Sequence, residues 1–173
     1  MDKSVYLRQL KNNNGHWWFE SRKSIIKNFL KNKIKKKIDI LDFGCGVGIN
    51  LEMLATFGNV FYYDRNKKVQ NLNNKIKRFS RFKCIKNIKK IKKKFDLIVA
   101  LDVIEHIDQD SEAINYLSTL LTKNGKILIT VPAYQFLFSI KDEILHHKRR
   151  YIKKNLNKML SRKFDIIKSS YFN

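Results

Sequence analysis

The sequence predicts an α/β fold, a doubly wound and mostly parallel sheet with helices on both faces. Three observations predict it. From residue 38 onward, short β-branched runs alternate with stretches of helical periodicity. The first run opens into a cluster of glycines, the turn chemistry of a tight strand-to-helix connection. The run at 95–101, FDLIVAL, is almost continuously apolar, as a strand covered on both faces has to be.

The elements follow in order. Ahead of the first strand, Trp18, Arg22, Ile25, Ile26 and Phe29 recur at helical spacing. The first strand is 38–43, followed by a helix over 50–57 that Gly58 is placed to stop. A second strand at 60–63, a lysine-rich helix over 67–79 and a third strand at 82–86 lead to the fourth strand at 95–101. Ala113, Ile114, Leu117, Leu120 and Leu121 then mark a helix that Asn124 and Gly125 should end. The fifth strand is 126–131, halted by Pro132, the one proline of the chain. A last helix carries Ile152, Leu156, Met159 and Leu160 on one face, and the apolar run at 164–167 is a candidate sixth strand. The whole reads as one domain, with 1–37 an N-terminal helical segment capping the site and 38–173 the ligand-binding body. The ligand crevice of such a sheet lies at the carboxyl ends of its strands.

Composition bounds the function. The chain has 173 residues, 43% hydrophobic and 30% charged, as expected of a soluble globular domain. It has no run approaching the ~20 apolar residues that span a bilayer. The opening MDKSVYLRQLKNNN lacks the apolar core of a signal peptide. Two cysteines make no disulfide framework or thiolate metal site, so the cytoplasm is the expected location. The formal net charge of +22 would attract nucleic acid or an anionic membrane surface. The excess is lysine rather than arginine, accompanied by many Asn and Ile and lacking regular aromatic interleaving. That pattern favours the compositional bias of an AT-rich genome, with a nucleic-acid partner as the second reading.

The chemistry is concentrated in Asp42-Phe43-Gly44-Cys45-Gly46-Val47-Gly48, between the first strand and its helix. Glycines there let the backbone turn sharply and approach a ligand, and the helix amino end adds unpaired N–H groups. The spacing is G-x-G-x-G, with Ile49 where a dinucleotide-binding loop has its third glycine, which argues against a nicotinamide oxidoreductase. Asp64, just past the second strand, is placed to accept the two hydroxyls of a ribose.

DILDFGCGVG resembles the first motif of class I S-adenosylmethionine-dependent methyltransferases, FDLIVALDVIEHI their fourth-strand motif and GKILITVPA their fifth. The resemblance covers about 38–133 and implies a Rossmann-like sheet with S-adenosylmethionine as cofactor. It places the backbone of Gly44, Cys45 and Gly46 around the methionine part, puts Asp64 on the ribose, and counts Asp42 and Gly48 among the cofactor-binding residues. Leu101 and Asp102 border the same crevice, and Asn87 stands at a position that is often an adenine-contacting Asp. An amide can accept the same hydrogen bond. The run HWWF-x-x-R at 16–22 and H-x-RRY at 147–151 resemble the flanks of one methyltransferase subgroup. They imply that Trp17, His147, Arg149, Arg150 and Tyr151 face the substrate. Arg22 suits the carboxylate of the cofactor.

The family's amino-group methylases usually carry an Asn/Asp-Pro-Pro-aromatic run after the fourth strand, where this chain has Leu101-Asp102-Val103-Ile104. An oxygen or carbon nucleophile on a small molecule is therefore expected. Two arginines at the mouth would suit an anionic acceptor. If the acceptor is a hydroxyl, His147 and His106 are the candidate bases. No metal site is expected, because the adjacent His146 and His147 point apart and no Cys or carboxylate cluster joins them. The family's last strand or strands are missing from the sequence, which would leave a sheet edge open. The competing readings are a nucleic-acid-binding or RNA-modifying basic protein and an inactive relic of the fold.

Overall fold

The computed structural model describes residues 17–172. Helix α1 (Trp17–Lys33) precedes β1 (Ile38–Phe43), α2 (Leu51–Ala55), β2 (Gly58–Tyr63), α3 (Lys67–Asn74) and β3 (Lys83–Cys84). Then come β4 (Phe95–Leu101), α4 (Asp110–Thr119), β5 (Leu121–Thr130), α5 (Ile140–Ile144) and α6 (Lys153–Leu160). The strands form one sheet in the order β3-β2-β1-β4-β5, with every pairing parallel. The chain winds outward from β1 through β2 to β3 and returns to the other side of β1 with β4. This reversal puts the crevice at the carboxyl ends of β1 and β4.

Because successive side chains of a strand point to opposite faces, each strand feeds two cores. Ile40, Tyr62 and Val99 pack with Ile26 and Leu30 of α1 and Leu51 and Leu54 of α2. Their neighbours Leu41, Phe61, Ile98 and Ala100 pack on the other face with Ile114 and Leu117 of α4. Helix α1 turns Ile26 and Leu30 inward, while Ile25, expected on the same face, is 40% exposed. No helix among the described residues is long and apolar enough to cross a membrane.

Four elements differ from the sequence expectation, each for a backbone reason. Gly58 does not stop the preceding helix; it opens β2 opposite Ile38, where a Cβ would lie 1.8 Å from the Ile38 carbonyl oxygen. Strand β5 starts at Leu121, five residues early, because the Phe95 N–H takes the Leu120 carbonyl and draws the chain into register with β4. A bulge absorbs the shift, and Gly125 passes so close to Phe95 that a Cβ would sit 2.9 Å from its carbonyl oxygen. Helix α3 ends at Asn74, and a separate turn at Lys77–Phe79 carries the rest of the expected helix. The run at 164–167 forms no strand: Phe164, like Leu156, Met159 and Leu160 of α6, packs against the core on the α4 face, and Ile167 is exposed. Strand β5 is thus an edge of the sheet among the described residues.

Candidate active site

The loop after β1 is held in a conformation only glycine adopts freely. Gly44, Gly46 and Gly48 have φ of 76°, 52° and 76°. A Cβ on Gly44 would strike Val103 at 2.5 Å and one on Gly48 would strike Phe79 at 2.6 Å, but above Gly46 the space is open. That open side is where a ligand can approach the backbone. Asp64 closes the loop from β2: its Oδ2 accepts the Gly46 N–H at 2.9 Å and its Oδ1 the Asn66 N–H at 2.8 Å. Burial pushes the Asp64 carboxyl up, against the pull of these two hydrogen bonds.

Two residues of α3 that the sequence reading passed over complete the cradle. Asn73 donates to the Gly46 carbonyl at 2.7 Å, and Gln70 donates to the Asp64 carbonyl. Both are buried polar side chains three apart on one helical turn, a signal hidden by the lysines around them. Asp42 lies beneath the loop, 1% exposed, with its Oδ2 unpartnered; burial, and then the charge of Asp64, pushes its pKa up to about 7. Cys45 is buried and its thiol pushed far up by that burial, so it packs rather than reacts. Asn87 caps the turn at Ile88–Lys90, accepting the Lys89 N–H at 3.0 Å.

At the end of β4, Leu101 lines the crevice and Asp102 takes a left-handed conformation with φ of 56°. Arg22 reaches across from α1 to Asp102 and to the Thr130 hydroxyl at the end of β5. Its expected carboxylate partner is thus supplied by the chain. The guanidinium also lies 5.3 Å from the centre of the Trp18 ring, and Trp17 is at the rim, 72% exposed. His16 lies outside the described residues.

The turn Ile104–His106 buries Glu105 completely, with no hydrogen-bond partner on either oxygen. Burial, reinforced by the charge of Asp102, pushes its pKa up to about 8. His147 lies against it: Nε2 is 4.0 Å from Glu105 Oε1, and Nδ1 is 2.8 Å from Asp142 Oδ1. His106 packs edge-on to His147 with ring centres 4.8 Å apart, its Nδ1 3.2 Å from the His146 carbonyl. Burial lowers the pKa of His106. His146 takes a left-handed turn with φ of 59° and is exposed, while the His147 ring turns inward to Glu105 and Asp142.

The premise that no carboxylates join these histidines does not hold. Glu105, His106 and His147 bring three donor atoms within 4.8 Å of one another, a set that could hold a metal ion. The carboxylates come from Glu105 and Asp142, distant in sequence or unremarkable in pattern.

The arginines expected at the mouth already hold acids. Arg150 grips Asp142 with two hydrogen bonds of 2.9 and 2.8 Å. Arg149 pairs with Asp110 at 2.8 Å and donates to the Asp108 carbonyl at 2.9 Å. Tyr151 is 8% exposed and donates to the same Asp110 oxygen at 2.8 Å. Arg149 and Tyr151 therefore fasten the segment to the start of α4. The glycine loop, Asp64, Asp102 and His147 border one broad cleft, with Glu105 buried beneath it.

A five-stranded parallel sheet with this glycine loop after its first strand and a buried acid after its second defines a Rossmann-like α/β domain. A family model described as a methyltransferase domain matches residues 8–170, and the chain belongs to that family. The ubiquinone biosynthesis O-methyltransferase of Pelagibacter ubique is 31% identical over 130 residues, which cover 66% of this chain and 54% of that protein. The chain spans about half the length of this curated relative. An S-adenosylmethionine-dependent methyltransferase from Clostridium acetobutylicum superposes with a TM-score of 0.66 at 18% identity, covering 90% of this chain and 83% of that one. The magnesium protoporphyrin IX methyltransferase of Synechocystis, solved with bound S-adenosylhomocysteine, superposes at 0.63 with 15% identity, covering 83% and 71%. The cofactor of the family is S-adenosylmethionine. The residues present fit it: the space over Gly46 is open, Gly46 and Asp64 both border the cleft, and Asp42 keeps an unpartnered oxygen beneath the loop.

Proposed function

We propose that this chain transfers a methyl group from S-adenosylmethionine to an oxygen of a small-molecule acceptor. The observation that carries the reading is His147, which borders the same broad cleft as the glycine loop while its Nδ1 is bound to Asp142 and its Nε2 makes no hydrogen bond. The Gly44–Gly48 loop, Asp42, Asp64, Asn87 and Leu101 hold the cofactor, which supplies a sulfonium methyl, a strong electrophile on a good leaving group. His147 takes the proton of the acceptor hydroxyl, and the apolar walls exclude water from the two partners. The pairing of Arg149 with Asp110 and of Arg150 with Asp142 favours an uncharged acceptor over the anionic one expected from sequence. The name of the Pelagibacter relative supports oxygen over carbon as the acceptor atom. Two free cysteines suit a cytoplasmic setting.

Calorimetric titration with S-adenosylmethionine and S-adenosylhomocysteine, with NADH as control, tests the reading. Micromolar binding that is lost in Asp64→Ala and Gly46→Val supports it. A folded chain that binds neither ligand would be an inactive relic of the fold, and the proposal would fall.

A further inference from the structure

We propose that Asp142, clamped by Arg150, is the positioning residue that makes His147 a base, by holding its ring proton on Nδ1 and leaving the Nε2 lone pair free to accept a proton. This rests on the reading of His147 given above. Sequence placed Arg150 on the substrate and gave Asp142 no role.

The argument is one of hydrogen-bond accounting. Asp142 is 1% exposed, and its two oxygens meet five donor groups. Oδ1 faces His147 Nδ1 at 2.8 Å and accepts Arg150 Nε at 2.9 Å. Oδ2 accepts the second Arg150 nitrogen at 2.8 Å, the Ser139 N–H at 2.9 Å and the Ser139 hydroxyl at 3.2 Å. The bond from Arg150 holds the carboxyl well below the usual carboxylate range. A carboxylate so surrounded by donors has no proton to give, so the proton between it and the ring belongs to Nδ1. Nε2 of the neutral ring is then an acceptor. Its neighbours are Glu105, 4.0 Å away and too far for a hydrogen bond, and the edge-packed His106 ring.

The ring is fixed in place as well as in tautomer. The His147 N–H donates to the Asp142 carbonyl at 2.9 Å, and Arg150 reaches on to the Ala133 carbonyl at 3.3 Å, tying Asp142 to the end of β5. When an acceptor hydroxyl gives its proton to Nε2, its oxygen keeps the electron pair that would form the new bond to the methyl carbon, the carbon–sulfur pair leaving with the sulfur as a neutral thioether. The imidazolium that results lies directly on an ionised carboxylate, which stabilises it. Arg150 keeps that carboxylate ionised while it waits.

The test reads the tautomer itself and needs no acceptor. Nitrogen-15 NMR of the full chain, with the His147 signals assigned by loss in His147→Gln, distinguishes protonated from bare ring nitrogens. Imidazole free in water favours Nε2–H, so an Asp142-held ring is a departure from the default. In the wild type at high pH the Nδ1–H form should dominate by about tenfold, as a charge-assisted hydrogen bond of ordinary strength dictates. Asp142→Asn should bring that ratio to unity or below, Asp142→Glu should restore it, and cofactor affinity should be unchanged in both. A wild-type ring protonated mainly on Nε2 would overturn the proposal, as would a ratio unmoved in Asp142→Asn. The wild-type measurement stands even if a variant fails to fold. A chain that binds no S-adenosylmethionine would sink the functional reading and leave the tautomer result intact, so the two failures are distinct.

Discussion

Arg22 of α1 pairs with Asp102, the left-handed residue that ends β4, and through Thr130 reaches the end of β5 as well. One guanidinium therefore ties the N-terminal helix to the carboxyl ends of two strands, at the rim of the crevice. Arg22→Ala should cost about 1–3 kcal/mol, because it leaves Asp102 without its cation. Amide exchange should accelerate across the first half of α1 while the glycine-loop amides keep their protection. Uniform acceleration through the whole chain would mean that the pair stabilises the domain generally rather than docking α1.

The three loop glycines are not equivalent. Gly44→Ala combines positive φ with a clash against Val103, whereas Gly46→Ala meets open space. Positive φ alone costs roughly 1–2 kcal/mol, and overpacking adds about 1–3 kcal/mol. Thermal melting should therefore show Gly44→Ala to be the more damaging. Calorimetry should show Gly46→Ala losing more cofactor affinity for less stability, since its new methyl group fills the ligand's side of the loop. Equal melting temperatures would contradict the geometry.

The glycine loop and Asp64 were legible in the sequence because backbone demands leave compositional marks. Positive φ requires glycine, and a strand-to-helix turn fixes where the glycines fall. The central strands were legible because burial on both faces writes a continuous apolar run. Glu105 and Asp142 were not legible, since a buried acid leaves no periodic trace and looks like any solvated one. Arg149 and Arg150 were recognised as important but given the wrong direction, because a sequence cannot show that Asp110 and Asp142 come within 3 Å of them. The start of β5 was missed because Leu120 and Leu121 continue a helical apolar pattern that pairing with β4 overrides.

Asp64, raised by burial, adds to the pH dependence of stability and His106, lowered by burial, opposes it. The largest part comes from two buried acids with raised pKa values, Asp42 at about 7 and Glu105 at about 8. Each binds its proton more tightly folded than unfolded, so folding gains most where both are protonated. Stability should fall as pH rises from about 4, the unfolded carboxylate range, and level off above 8. Asp142 acts in the opposite sense: its depressed pKa contributes stability above that same range, lost only under strong acid. Melting curves from pH 4.5 to 8.5 should show a decline of several degrees, made shallower in Asp42→Asn and in Glu105→Gln. A melting temperature that rises through this window would rule out both acids as its source.

His147 is 11% exposed at its side chain, bound at one ring nitrogen and without a hydrogen bond at the other, so its removal should act on chemistry before it acts on binding. His147→Ala should lower kcat by about 10²–10⁴-fold on the acceptor that supports turnover, the usual range for a positioned general base. S-adenosylmethionine affinity should change less than about threefold, because the glycine loop and Asp64 are built on β1, β2 and α3. His106→Ala should do less, since its Nδ1 meets a backbone carbonyl where His147 Nδ1 meets a carboxylate. If His147→Ala loses cofactor binding and turnover together, the residue is structural. If His106→Ala alone abolishes turnover, the proton leaves through the other ring.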